Sequence, residues 1–252
     1  MRQMLTLCPT QLRRVWAIAR KDIRIYYSKG PVVIFGILFP IFLFLSFFIG
    51  RSLTAEFVVP GLLGMVLFFA ATAISPAVAP WEAQARTLER LMSSPVTVPT
   101  IVLGDILASF IFGVLISLVP LIVGLSLGVS ISQPLAFALA VILAAFCFSA
   151  LGLIFSAAPS SLPSTAMMVS SMVKFPLVFI SGIFIPLEEL PSWAQGIAYI
   201  SPLTYFTDIA RQSIQGKGHL PVAVDLLLLL AFTAALLVLA MKLHQRTMPQ
   251  RI

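Results

Sequence analysis

The chain has 252 residues, 60% of them hydrophobic and only 10% charged, and its mean hydropathy is +1.06. A soluble domain carries about 25% charged residues, so a chain this apolar cannot bury its side chains in one water-facing core and must use lipid as its solvent. The net charge of +7 is not the footprint of a nucleic-acid binder, because the basic residues cluster beside apolar runs, and no nucleic-acid partner is expected. Cys8 and Cys147 lie in a basic stretch and in an apolar run, without the spacing of a disulfide framework or a metal site. No cleavable signal peptide is expected.

In residues 11–29, Leu12, Val15, Trp16, Ala19, Ile23, Tyr26 and Tyr27 recur at three- and four-residue steps, which places them on one helical face. Arg13, Arg20, Lys21 and Arg24 occupy much of the remainder. An amphipathic basic helix of this kind lies in the membrane interface, with Trp16, Arg20, Lys21 and Arg24 as its marked residues, either as a topology anchor or as a lever. Gly30 and Pro31 end it. Six apolar stretches follow, at residues 32–50, 57–79, 106–128, 134–155, 166–185 and 222–243. Each is near the roughly 20 residues that cross a hydrocarbon core as a helix, and their unbroken apolarity excludes a barrel. Pro40, Pro60, Pro76, Pro120 and Pro176 lie in or beside these stretches, and Gly113, Ser117, Gly124 and Gly128 offer close helix contact.

Between the second and third stretches, residues 80–95 carry Trp81, Ala85, Leu88 and Met92 at helical spacing. Glu82 and Arg86 stand four apart, the spacing of a helical ion pair. This is expected to be one short amphipathic helix, a docking knob or a plain surface helix. Before the last stretch, residues 186–221 predict two short helices. One starts at Pro191, with Leu190, Trp193, Ala194 and Ile197 at helical steps. The other is capped by Ser201, with Pro202 at its first position and Leu203, Phe206, Ile209 and Ala210 as its apolar face. They suit the headgroup level, as a cap or a gate.

The charges set the direction. Arg2, Arg13, Arg14, Arg20, Lys21, Arg24 and Lys29 precede the first stretch, Arg86 and Arg90 follow the second, and Lys242, Arg246 and Arg251 follow the last. Arg51, Arg211 and Lys217 fall on the other side. Basic residues stay in the cytosol, so both termini are expected there, as six crossings also require. No phosphate-binding loop is present, and Gly216-Lys217-Gly218 is not one. His219 and His244 have no evident partner, no Ser and His share a believable depth, and no catalytic, cofactor or metal site is expected. Lys174 and Asp105 fall at membrane depth, where a charge is a functional candidate by default, for the pathway or for pairing. Asp225 and Glu56 are expected at solvated outer ends.

Two motifs carry a resemblance. The outer one is Ser181-Gly182-Ile183-Phe184-Ile185-Pro186, then Leu190-Pro191-Ser192-Trp193-Ala194, then Ser201-Pro202-Leu203-Thr204-Tyr205-Phe206-Thr207-Asp208 with Arg211. The inner one is Arg86-Thr87-Leu88-Glu89-Arg90-Leu91-Met92-Ser93-Ser94-Pro95. With the lead-in helix and six crossings, the chain resembles the membrane permease subunit of type-2 ATP-binding-cassette (ABC) exporters. The inner motif is similar to that family's Gly-Thr-Leu-Glu helix before Ser-Pro, with Arg86 where Gly is usual and Gln84 where an acidic residue is usual.

The resemblance implies an all-α membrane protein whose residues 1–252 form a single transmembrane permease domain. Residues 80–95 become a coupling helix, with Glu82, Arg86, Thr87, Leu88, Glu89 and Arg90 toward an ATPase. Residues 186–221 become a paired re-entrant element, with Pro186, Pro191, Trp193, Pro202, Tyr205, Asp208 and Arg211 in an outer gate. It implies two permease copies and two ATPase copies in a prokaryotic plasma membrane. ATP and Mg belong to the ATPase, and this chain is not itself an enzyme and binds no cofactor. The implied cargo is an amphiphilic drug, lipid or glycan-lipid. The competing reading is a secondary transporter driven by an ion gradient, for which Lys174 is a lone coupling group.

Overall fold

The computed structural model describes residues 9–27, 30–49, 54–158 and 162–251. Arg2, Cys8, Lys29 and Arg51, invoked above for charge and thiol, lie outside them. Every regular element among the described residues is helical. The order is α1 (Pro9–Asp22), a π-helical turn (Ile23–Tyr27), α2 (Gly30–Val33), a second π-helical turn (Ile34–Leu38), α3 (Phe39–Phe48), α4 (Ala55–Ala71), α5 (Val78–Gln84), α6 (Thr87–Met92), α7 (Val98–Ser126), α8 (Pro134–Ser156) and α9 (Pro163–Ile180). A 3-10 turn (Leu187–Glu189), α10 (Ser192–Ala198), α11 (Pro202–Gln215), α12 (Val222–Thr247) and a last 3-10 turn (Met248–Arg251) complete it.

Among the described residues four helices, α7, α8, α9 and α12, are long and apolar enough to cross a bilayer. The first two predicted stretches are divided instead. A π-helical turn interrupts the first at Ile34–Leu38, and the second leaves the helix after Ala71. Pro76 explains the second break, because it lacks an N–H and its ring crowds the carbonyl four residues earlier. The third helix starts at Val98, well before residue 106, and so Asp105 lies about two turns inside it.

The bundle is built on α8, which packs on α12, α7, α11 and α4, while α4 packs on α7 and α11. At its centre Phe148 of α8 meets Phe68 of α4 at 5.0 Å and Phe206 of α11 at 6.4 Å, both edge-on. Gly113 and Gly124 face α4, admitting Ala71 and Val59, which is the close contact their size predicts. Cys147 is buried as a small apolar side chain.

The helix expected at the headgroup level, α11, is buried along nearly its whole length. Its apolar face is as predicted. Its polar face is also enclosed, because the chain itself supplies the partners: Thr204 Oγ1 donates to Ala198 O (2.6 Å) and Thr207 Oγ1 to Ser181 O (2.9 Å). Ser201 holds the predicted cap position with Pro202 next, but its side chain makes no capping bond. Asp225, expected to be solvated, is fully buried, because α11 packs against α12.

Candidate functional site

The first site lies where α1, α5 and α7 meet. Its starting point is Gly104 on α7: a Cβ there would stand 2.6 Å from Ile18 Cγ2, so only glycine lets α1 lie this close. That contact selects which face of α1 is buried. Ile18, Ala19, Asp22, Tyr26 and Tyr27 are enclosed, whereas Leu12 and Trp16 are 57% and 53% exposed. The single stripe read from spacing is therefore split, and the wider π-helical turn that carries Tyr26 and Tyr27 shifts the register. Arg20 and Arg24 stay exposed.

Lys21 is drawn inward. Its ammonium is 3.0 Å from Asp22 and pairs with Glu82 of α5. Asp105 of α7 joins the cluster beside Asp22, so the charge noted at membrane depth belongs to this junction. Tyr26 stacks on Trp81, with centroids 5.5 Å apart. Burial raises the Asp22 and Glu82 carboxyls above the usual range, with Lys21 opposing. Burial works against the Lys21 ammonium, but Asp22 and Glu82 outweigh it and hold its pKa above the ordinary value.

All three groups thus bind protons more tightly in the folded protein than in the unfolded chain. Their contribution is complete at low pH and fades as pH rises through the folded values. The protein is expected to melt higher near about pH 5 than near about pH 8, above the ordinary carboxylate range, and Asp22→Asn to flatten the slope. A midpoint that climbs with pH contradicts this.

The predicted helix over residues 80–95 is two helices, α5 and α6, because Arg86 between them adopts φ +54°, in the left-handed region. The break ends the predicted apolar stripe, and Glu82 pairs with Lys21 instead of Arg86. Glu82 is buried and engaged by Lys21. Leu88 anchors α6 inward, while Arg86, Thr87, Glu89 and Arg90 are exposed. A cleft of about 690 Å³ opens beside them, lined by Lys21, Tyr26, Trp81, Glu82, Arg90 and Leu91 among others. It joins an aromatic floor to a charged rim.

At the opposite end of α4 and α11 the chain bends after α9. Arg211 Nη2 donates to Gly182 O at 2.6 Å and to Ile183 O at 3.3 Å, and its guanidinium lies 5.3 Å from the Phe57 ring. Asp208 accepts from the backbone amides of His219 (2.9 Å) and Leu220 (2.8 Å). Tyr205 donates to Tyr199 O at 2.6 Å. Pro202, Tyr205, Asp208 and Arg211 are all buried along α11, but only Arg211 binds the bend itself, while Pro186 is half-buried at its edge. Pro191 and Trp193 lie outside it, with Trp193 70% exposed.

Residues 13–214 match the family described as ABC-2 type transporter. The chain belongs to this family. Over 99 residues it is also 30% identical to a daunorubicin resistance ABC transporter permease protein of Streptomyces coeruleorubidus, a match covering 39% of this chain and 33% of that protein. The chain thus spans about a third of the length of that curated relative. As an ABC-2 permease it is a multi-pass membrane protein.

In this ABC-2 permease Arg86 occupies the position where the motif's Gly is usual, and its positive φ gives the reason. A left-handed non-glycine residue costs roughly 1–2 kcal/mol. Arg86→Gly is expected to raise the thermal midpoint by the equivalent of about 1 kcal/mol, and an unchanged or lower midpoint counts against strain at this turn. Two further partnerships were invisible in the sequence. Lys174 donates to the backbone carbonyl of Thr72 at 3.2 Å. His244, expected to lack a partner, is buried with Nε2 2.8 Å from Ser156 Oγ and Nδ1 2.9 Å from Ala240 O. That bond joins the ends of α8 and α12. It also overturns the expectation that no Ser and His share a depth. The signals present were weak: Gly104 for the α1 contact, and Pro76 four residues after Thr72.

Proposed function

We propose that this ABC-2 permease is the transmembrane half of an ATP-driven exporter, and that α5 and α6 receive the stroke of a separate ATPase. The observation that carries this is the Lys21–Glu82 pair, which fastens α5 to the interfacial helix and leaves Arg86, Thr87, Glu89 and Arg90 outward beside the cleft. A push on that knob moves α1 and α7 with it, through Lys21, Asp22 and Asp105.

On this reading the chain crosses six times, with the α2–α3 segment and α4 with the joint that follows it as the first two crossings. Both termini and the α5–α6 knob lie in the cytosol, as the basic residues require, in a prokaryotic plasma membrane. Two permease copies assemble with two ATPase subunits, which bind ATP and Mg. The bend held by Arg211, with α10 and α11, restricts the outer exit. The cargo is an amphiphile, and the drug-resistance relative favours a drug over a lipid or glycan-lipid.

The test is copurification with the cognate ABC ATPase, followed by ATP-dependent uptake of daunorubicin into inside-out vesicles. Glu89→Lys is expected to reduce copurification at least about tenfold, the scale of an electrostatic mismatch at a docking surface. Uptake that persists without ATP and collapses with the ion gradient overturns the proposal.

A further inference from the structure

We propose that Lys174 is the positioning residue of a joint built into the second crossing, and that through it the movement of α5 and α6 reaches α9. The joint is the segment between Ala71, where α4 ends, and Val78, where α5 begins. Residues 63–80 are buried without exception. A helix end enclosed in this way has no water for its last carbonyls, so each needs a protein donor.

The donors can be followed one by one. Phe68 O accepts from the Thr72 amide (3.1 Å) and from Thr72 Oγ1 (2.7 Å). Ala70 O accepts from the Ala73 amide at 3.3 Å, and Ala71 O from Ser75 Oγ at 3.3 Å. Thr72 O has no such donor from its own helix. In a continuous helix its donor is the amide of residue 76, and residue 76 is proline. The missing hydrogen bond is supplied from another helix, by Lys174 Nζ of α9.

The setting suits an ammonium. Carbonyls at a helix C-terminus attract positive charge, and the Phe69 ring centroid is 5.8 Å from Nζ. Lys174 is 7% exposed. The joint is seated on its other side by Gly152 of α8, where a Cβ would stand 2.2 Å from Ser75 Oγ and 3.2 Å from Thr72 Cα. It is therefore a packed bend clasped between α8 and α9. Because α5 runs from the joint into α6 and also touches α9, a tilt of α5 and α6 turns about residues 72–77. The Lys174 bond makes α9 follow. The transmission part rests on the coupling role proposed for α5 and α6, whereas the clasp itself does not.

Two measurements separate these parts. In the full-length permease alone in nanodiscs, Lys174→Met is expected to speed hydrogen exchange at the Ala73, Ile74, Ser75 and Ala77 amides at least about tenfold, the equivalent of one charge-assisted hydrogen bond. Pro76→Ala returns an amide to Thr72 O, so the same lysine change in that background is expected to have little effect. Unchanged exchange in K174M, or an equal effect in both backgrounds, overturns the clasp.

In the complex with its ATPase, a fluorophore on Met172→Cys of α9 is expected to respond to ATP. K174M is expected to abolish that response while ATP hydrolysis continues. Lys174→Arg is expected to preserve it, and the added Pro76→Ala not to restore it, because that repair mends α4 without reconnecting α9. A full ATP response in K174M overturns the transmission. Failure of any ATPase to associate overturns the coupling role proposed above, and with it the transmission, while the exchange experiment still decides the clasp.

Discussion

Lys21→Met is expected to destabilise the protein by about 3 kcal/mol, the usual scale for removing one member of a buried ion pair. The lysine side chain is itself 30% exposed, but the groups it leaves behind are not: Glu82 and Asp22 are 3% and 0% exposed at their side chains. With the ammonium gone, carboxyls of α1, α5 and α7 face one another without their cation. Oxygens of Asp22, Glu82 and Asp105 already lack hydrogen-bond donors, so little is available to replace it. Helix α1 is expected to lift from α7, and labelling of a cysteine placed at Ala19 is expected to rise with the fall in thermal midpoint. The double variant Lys21→Met with Glu82→Met is expected to cost less than the two single changes together, because each removes the charge that strands the other. Simple additivity would show that the pair does not hold α1 to α5.

Arg211→Met is the second large effect, again expected to be about 3 kcal/mol, from the loss of charge-assisted bonds to two buried carbonyls. Gly182 and Ile183 form the bend where α9 gives way to the segment leading into α10, and both are buried. Methionine can refill the volume against Phe57 but donates nothing. Arg211→Lys is expected to recover only part of the loss, because an ammonium is a point donor where the guanidinium is a fixed fork. Thermal unfolding gives the stability change, and protease cleavage within residues 182–190 reports whether the bend opens. A methionine variant as stable and as protected as the wild type would mean that packing alone holds the bend.

Much of this was legible without a fold. The apolar stretches at 134–155 and 222–243 became α8 and α12 almost to the residue at their starts, since Pro134 and Pro221 punctuate them. The outer motif placed α10 and α11 correctly, and Pro202 stands at the first turn of α11 as its fixed φ favours. The helical segment at residues 80–95 was legible, but its division into two helices was not. Spacing alone cannot reveal that Arg86 adopts a left-handed conformation, although its place in a usual glycine position was the available sign. The face of α1 was misjudged for a related reason. Periodicity separates apolar from polar positions, but a helix with lipid on one side and protein on the other is apolar toward both.

What the sequence determined by itself is therefore what depends on near neighbours and on solvent: that these segments are helices, that lipid is their medium, and which end carries the basic charge. Hydrophobic partition and residue spacing are one-dimensional properties, and they survive without knowledge of contacts. The tertiary structure alone decided the partners. Lys21 meets Glu82 across 61 positions, and Lys174 meets Thr72 across 102. A buried ammonium must find its carboxylate or carbonyl wherever packing brings one, and that depends on which helices touch. Gly104 and Gly152 decide two of those approaches by having no side chain, a feature that becomes informative only once the neighbouring helix is in place.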